Sequence, residues 1–265
     1  MSWILVTNDD GVDSPALPPL VRALEKLAPV RAVVPERERS WIGKAITRWE
    51  EVRVRPVERD GVTLHAVSGY PADCTQLGVH SLFDERPAMV VSGINVGFNH
   101  GLAFLLSSGT VGAASEGWIA GVPALAFSTG VARGHREWAH TAWSKEGSRA
   151  LWARASALAA DVVRRVREVG WPTGVDLLNV NFPEHADVTT PRLVTRLAVV
   201  AYDELFRARG EDVFTHDFGG GFRHLEHVEG TDLEAAEHGV VSITPIRLAR
   251  TAEIAEPVRR ALEAP

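Results

Sequence analysis

The stretch ILVTNDDGVDSPAL, residues 4–17, decides the fold. Ile4, Leu5, Val6 and Thr7 make a short continuous apolar or β-prone run, the pattern of a strand buried on both faces. The run leads directly into Asn8-Asp9-Asp10-Gly11. Two adjacent carboxylates at the end of a buried strand repel each other and lose their hydration, and a bound cation would remove both penalties. Gly11 lets the backbone turn sharply into the helix that follows.

Outward from this strand, apolar runs alternate with amphipathic stretches. WILVT (3–7), VRAVVP (30–35), VTLHAV (62–67), AMVVSG (88–93), VPALAFS (122–128) and DLLNVNFP (176–183) read as strands. Helical spacing is expected over 17–28, 71–83, 109–120 and 149–169. Strand alternating with helix predicts an α/β fold with a doubly wound, mostly parallel sheet covered on both faces. From about residue 190 the pattern changes. PRLVTRLAVV reads as a strand, and 203–237 is rich in Gly, charge and aromatics around FGGGF. VVSITPI (240–246) is a final strand, followed by a short helix.

Composition narrows the function. With 45% apolar and 23% charged residues over 265 positions, the chain can bury a core and remain soluble. A net charge of −6 argues against a nucleic-acid groove. No apolar run reaches a membrane-spanning length of ~20 residues. The first residues, MSWILVTNDDG, show no charged leader or cleavage site, so a cytoplasmic protein is expected. The single cysteine, Cys74, excludes an internal disulfide framework and reads as a small buried hydrophobe.

In a doubly wound sheet, ligands sit beyond the carboxyl ends of the parallel strands. The segments expected there are Asn8-Asp9-Asp10-Gly11, PERERS ending at Ser40, SGINVGFNHG with Asn95 and Asn99, and SSGTVG (107–112) opening a helix. Singly, each has a plain reading: a turn, a helix cap or a surface loop. Their convergence on one edge favours a site. Carboxylates, a hydroxyl and a carboxamide, without His or Cys, suit Mg²⁺, Mn²⁺ or Ca²⁺ better than zinc. Ser108-Gly109-Thr110 at a helix start offers N–H groups, hydroxyls and the positive dipole end to a phosphate. A cation beside a phosphate points to phosphoryl chemistry. A Rossmann-type oxidoreductase fits poorly, because no Gly-x-Gly-x-x-Gly follows the first strand.

The segments ILVTNDDGVDSPAL, VVPERERS, PADCTQLGV, VVSGINVGFNHG, SGTVGAASEG, GVPALAFS, LLNVNFP and EGTDLEAAEHGVVSITP, in this order, resemble the SurE survival-protein family. The resemblance spans most of the chain and is weakest over 44–60, 130–150 and 200–228. It implies a Rossmann-like core over 1–188, an arm used in oligomerisation over 189–238 and a C-terminal strand and helix over 239–265. It implies a metal-dependent hydrolase of nucleoside monophosphates, extending to 3′-nucleotides and short polyphosphate, with one divalent ion per subunit. It further implies a homodimer or tetramer built through the arm, with neither nucleic acid nor membrane as partner. The metal ligands would be Asp9, Asp10, Ser40 and Asn95, the two aspartates also being catalytic. Asn99, Ser108, Gly109 and Thr110 would hold the phosphate, and Lys44 and His100 are possible substrate contacts.

The chain departs from the family pattern beside these positions. Trp41 stands where a small residue is usual, Lys44 where His or Asn is common, and Phe98 where Pro is frequent; 102–107 lacks the usual acidic residues. These departures keep open a catalytically weak nucleotide- or phosphate-binding protein. Phe98 and Phe104 read first as packing residues, with nucleobase stacking the alternative, and Trp49, Trp118, Trp138, Trp143, Trp152 and Trp171 as core or interface anchors. Water activated by an aspartate and direct attack by an aspartate both remain as routes.

Overall fold

A computed structural model of the chain describes residues 2–131, 135–144, 148–216, 222–248 and 251–264. Most of the FGGGF stretch lies outside the described residues. The elements run β1 (Ile4–Thr7), α1 (Leu17–Glu25), β2 (Val30–Pro35), β3 (Val54–Arg59), β4 (Val62–Val67), α2 (Pro71–His80), β5 (Met89–Val96), α3 (Gly101–Ser107), α4 (Gly109–Ile119), β6 (Ala124–Gly130), α5 (His135–Trp143), α6 (Arg149–Val169) and β7 (Leu177–Pro183). Beyond these come β8 (Arg192–Val194), β9 (Val200–Tyr202), β10 (Phe206–Ala208), β11 (Phe214–His216), β12 (Phe222–His224), α7 (Asp232–Glu237), β13 (Val241–Ile246) and α8 (Glu256–Glu263).

Nine strands form one sheet in the order β3-β4-β2-β1-β5-β6-β7-β13-β8. β1, β2, β4, β5, β6 and β7 are mutually parallel, whereas β3 pairs antiparallel with β4 and β13 antiparallel with β7. The expected α/β, doubly wound, mostly parallel sheet is therefore the observed one. The chain leaves β1 towards β2 on one side and returns on the other at β5. That reversal opens a crevice at the carboxyl ends of β1 and β5, the place where such sheets bind ligands.

Helices cover both faces, the amphipathic α1 and α6 on one and the more fully buried α2 and α4 on the other. On one side Leu17, Leu20 and Leu24 of α1 pack with Leu158, Val162 and Val163 of α6 over Ile4 and Val6. On the other, Cys74 and Val79 of α2 and Val111 and Ala114 of α4 pack over Leu5 and Val33. Each fully buried leucine contributes about 2 kcal/mol by leaving water. Trp152 and Trp138 are buried as core anchors, but Trp49 is 84% exposed, with the Arg48 guanidinium over its ring.

Several elements escape the sequence reading, among them β3, α3, α5, α7, β10, β11 and β12, and PRLVTRLAVV divides into β8 and β9. β3 is an edge strand paired over its whole length with β4, yet its residues VRPVER carry charge on an exposed edge and show little apolar alternation. α3 is a seven-residue helix inserted just before α4. The segment expected as an arm over 189–238 begins with β8, which pairs with β13 inside the main sheet. It continues through two small antiparallel pairs, β9 with β12 and β10 with β11.

Asp161, on the solvent side of α6, ties the edge strand β8 to the body. It lies 2.6 Å from Arg164, 2.8 Å from Arg165 and 2.7 Å from Arg192 of β8. Partial burial alone would raise its pKa, but the guanidinium groups of Arg165, Arg164 and Arg192 outweigh it and hold the carboxyl well below the usual carboxylate range. A depressed folded-state pKa gives stability that is present above the unfolded value of about 4 and lost as pH falls through the folded value. Asp161→Asn should lower the melting temperature by about 2–4 °C at pH 7, the shift of roughly 1 kcal/mol in a chain of this size. In melts monitored by circular dichroism, the difference from wild type should shrink as the pH is taken below about 4.

Candidate active site

The crevice is built on the end of β1. Asn8 closes a tight turn: its side chain accepts from the Gly11 N–H at 3.1 Å and donates to the Gly11 carbonyl at 3.2 Å. Gly11 takes φ +81°, and a Cβ there would meet the Arg37 backbone at 2.7 Å. The loop after β2 is thereby drawn in, and the Arg39 N–H donates to the Asp9 carbonyl at 2.7 Å.

Asp9 and Asp10 are 3% and 4% exposed. Burial raises the Asp9 carboxyl to about 6, against hydrogen bonds from the Thr110 hydroxyl and backbone and with a further push from Glu38. Burial, then the charge of Asp9 and that of Glu38, raise Asp10 well above the ordinary range, with the Val96 N–H as the partial offset. Oδ2 of Asp10 is buried and has no hydrogen-bond partner among the described residues. The two carboxylates therefore differ. Asp9 is held by Thr110, while Asp10 keeps one oxygen open beside the end of β5.

The start of α4 closes on Asp9. A Cβ on Gly109 would lie 2.7 Å from Asp9 Cβ and 2.9 Å from its Oδ2, so only glycine allows this approach. Ser108 caps α4, its Oγ accepting from the Val111 N–H at 3.1 Å. The cap engages a lone pair and leaves the Ser108 O–H able to donate. The Thr110 hydroxyl donates to Asp9 Oδ1 at 2.5 Å and so positions the carboxylate.

The remaining expected residues fall around this centre in different states. Asn99 is pinned from three sides: its N–H donates to Asn181 Oδ1 at 2.7 Å, its Nδ2 to Ser128 Oγ at 2.8 Å, and its carbonyl accepts from Asn179 Nδ2 at 2.7 Å. Asn95 is half-buried, with its Nδ2 donating to the Gly97 carbonyl at 2.7 Å and its carboxamide oxygen not engaged in that bond. Ser40 is exposed and its hydroxyl donates to Glu38 at 2.6 Å, turned to that side chain and not to Asp9 or Asp10. Lys44 forms an ion pair with Glu116, a side chain buried within α4, so its positive charge is taken up there. His100 is buried and stacked on Phe98, their rings 4.8 Å apart. Burial lowers its pKa, the charge of Asp232 acting against that shift.

Asp232 is a site-supporting residue that the chemistry of the sequence did not single out. From the start of α7 it accepts the N–H groups of Gly101 and Ala198, each at 2.9 Å, and so fixes the chain just after Asn99 and His100. Asn179 and Asn181 are a second case. Two amides at alternate positions of a fully buried strand were the available signal.

The chemistry of the donor set fits a hard cation. The open Asp10 oxygen and the Asp9 carboxylate, with the side-chain oxygens of Asn95 on β5 and Ser40 on the loop after β2, are all hard oxygen donors, and no group of three or more His, Cys, Asp or Glu side chains that could hold a metal occurs among the described residues. Added Mn²⁺ should raise the wild-type melting temperature. Asp10→Asn should abolish that rise while leaving the cation-free melting temperature unchanged or about 2–4 °C higher, because a like-charge repulsion is gone. A persistent Mn²⁺ shift in the variant would place the cation elsewhere.

Among described residues, no helix is long and apolar enough to cross a membrane. The family model described as "Survival protein SurE" matches residues 4–204. A protein of Methanocella arvoryzae named "5'-nucleotidase SurE" is 38% identical over 94% of this chain and 93% of its own length. "5'-nucleotidase SurE 1" of Thermus thermophilus is 40% identical over 94% of this chain and 93% of its own. The crystal structure of the SurE protein from Aquifex aeolicus superposes with a TM-score of 0.74 at 32% identity, covering 99% of this chain and all of that one.

Proposed function

This chain belongs to the SurE survival-protein family, and we propose that it is a divalent-metal-dependent phosphomonoesterase that hydrolyses nucleoside 5′-monophosphates to nucleoside and phosphate. The single observation that carries this reading is the Asp9–Asp10 pair, buried at the β1 end against the N-terminus of α4, with one Asp10 oxygen unpartnered. The names of its relatives support the same activity. Extension to 3′-nucleotides and short polyphosphate belongs to the same proposal, since the chemistry is confined to the phosphoryl group.

Asp9 and Asp10 would hold one Mg²⁺ or Mn²⁺, with Asn95 and Ser40 completing the set after Ser40 turns from Glu38. Bound there, the cation supplies Lewis-acid stabilisation of charge on the phosphoryl oxygens and a lowered pKa for a bound water. The chain's own groups do the rest. The Ser108 O–H, the Gly109 N–H and the Asn99 carboxamide grip phosphate oxygens at the positive end of α4. Thr110 orients Asp9 and opposes the rise that burial imposes on its pKa. One of the two carboxylates aligns the attacking water and accepts its proton. The water oxygen forms a bond to phosphorus, the bond from phosphorus to the ester oxygen breaks, and that oxygen leaves as the nucleoside hydroxyl, taking up the proton that the carboxylate accepted from the water.

Phosphate release from a panel of 5′- and 3′-nucleoside monophosphates and short polyphosphate, with Mn²⁺, with Mg²⁺ and with EDTA, tests this directly. Release should require the cation, and Asp9→Asn should lower kcat/KM by about 10³-fold. Cation-bound protein that binds phosphate but releases none from any substrate would replace the enzyme with a binding protein.

The segment 189–238 is proposed to join copies of the chain into a dimer or tetramer. Phe206 and Phe214 are both exposed on the β10–β11 pair, which among the described residues pairs with no other strand. Exposed aromatics grouped this way commonly mark an interface. Light scattering at micromolar concentration should give at least twice the chain mass, and Phe206→Asp with Phe214→Asp should reduce it to one.

A further inference from the structure

Beside the phosphate cradle lies a cluster of rings that the phosphoryl chemistry does not use. Trp41 directly follows Ser40, has φ 60° and is 39% exposed. Its ring lies 5.7 Å from Phe104, 5.4 Å from Tyr202 and 4.7 Å from His216 of β11. The mounting is firm from three directions. The Tyr202 hydroxyl is hydrogen-bonded to Ser107 and to the Ala103 carbonyl of α3. The Gly43 N–H donates to the Ser107 carbonyl at 2.8 Å, and the Ser108 N–H to the Phe104 carbonyl at 2.9 Å. Ile42, the next residue, stands 3.1 Å from where a Gly109 Cβ would be. The indole is thus carried on the loop that touches Asp9 and Gly109, braced from behind, with part of its surface facing outward.

A bulky residue at positive φ is rare, and such backbone is found chiefly where function requires a side chain in one place. Aromatic faces held beside a phosphate-binding element take up bases by stacking, which needs no hydrogen-bond code. We propose that Trp41 is the stacking surface for the nucleobase of the substrate, with His216 and Tyr202 fixing its orientation, so that this chain prefers nucleotides, and purine nucleotides most, over phosphomonoesters without a base. The inference rests on the nucleotidase reading of the site and names the residue that recognises the nucleoside part. The larger purine ring gains more contact with an indole than a pyrimidine does, which sets the direction of the preference.

Trp41→Leu keeps an apolar side chain of substantial volume and removes the π face, whereas Trp41→Phe keeps a smaller one. Adenosine, which carries the base and no phosphate, is the probe for binding without turnover, read by saturation-transfer NMR on the full chain. Its affinity should fall about tenfold in Trp41→Leu and by no more than about threefold in Trp41→Phe. In turnover, Trp41→Leu should raise KM for AMP about tenfold and for UMP less, with kcat and the KM for ribose 5-phosphate nearly unchanged. Equal adenosine affinity in wild type and Trp41→Leu overturns the proposal, as does an equal rise in KM for AMP and ribose 5-phosphate. A wild type that releases phosphate from neither substrate overturns the nucleotidase reading instead, and the adenosine comparison still decides the role of Trp41.

Discussion

Two carboxylates on consecutive residues, both withdrawn from water, are the constraint on which the rest of the molecule depends. Burial and mutual repulsion oppose the charged form of each, and the surroundings answer the two differently. Thr110 hydrogen-bonds to Asp9 and Arg39 to its carbonyl, while Asp10 receives only partial relief from Val96 and keeps an unpartnered oxygen. That asymmetry divides the labour of the pair. Asp9 is the fixed member that sets the position of α4, and Asp10 is the member with capacity left for a ligand. The bare glycine at 109 follows from the same demand, because any side chain there would occupy the space of Asp9.

The frame around the pair was legible because buried parallel strands have a plain signature. β1, β5 and β6 begin as continuous apolar runs and end in polar or glycine-containing segments, and the observed strand order places the crevice between β1 and β5. β3 was not legible for the converse reason. An edge strand exposed along much of its length is free to carry Arg and Glu, and its pairing with β4 is a property of the sheet and not of the segment. α3 is too short for its period to stand out from the glycine-rich loop before it.

Within the site, residue types at strand ends were readable, but the use each side chain makes of its hydrogen bonds was not. The hydrogen bond from the Thr110 hydroxyl to Asp9 depends on the approach of α4 to β1, which the local sequence does not show. Lys44 reads as a possible substrate contact, and its ion pair with Glu116, seven residues into a helix of small side chains, leaves no trace in the local sequence. Asp232 is 131 positions from the N–H of Gly101 that it accepts, and a contact at that separation leaves no trace in local pattern. Trp49 is not a core anchor in this chain: it lies in an exposed loop under an arginine, which leaves the interface half of its reading.

The C-terminal extension is bound to the chemistry of the core at two independent points. Asp232 clamps the backbone between Asn99 and α3, and Tyr202 and His216 brace the loop that carries Ser40 and Trp41. An extension used only for assembly would need neither contact. The core strands and α4 provide what any phosphomonoester requires, namely oxygen ligands, a helix N-terminus and a water-excluding wall. Such elements cannot tell a nucleotide from another phosphate, because they meet only the group that all of them share. Discrimination must come from surfaces that reach beyond the phosphate, and the residues placed to do so lie on loop 40–44, on α3 and on the extension. Such rim segments are free to vary where the scaffold itself is held by its chemistry.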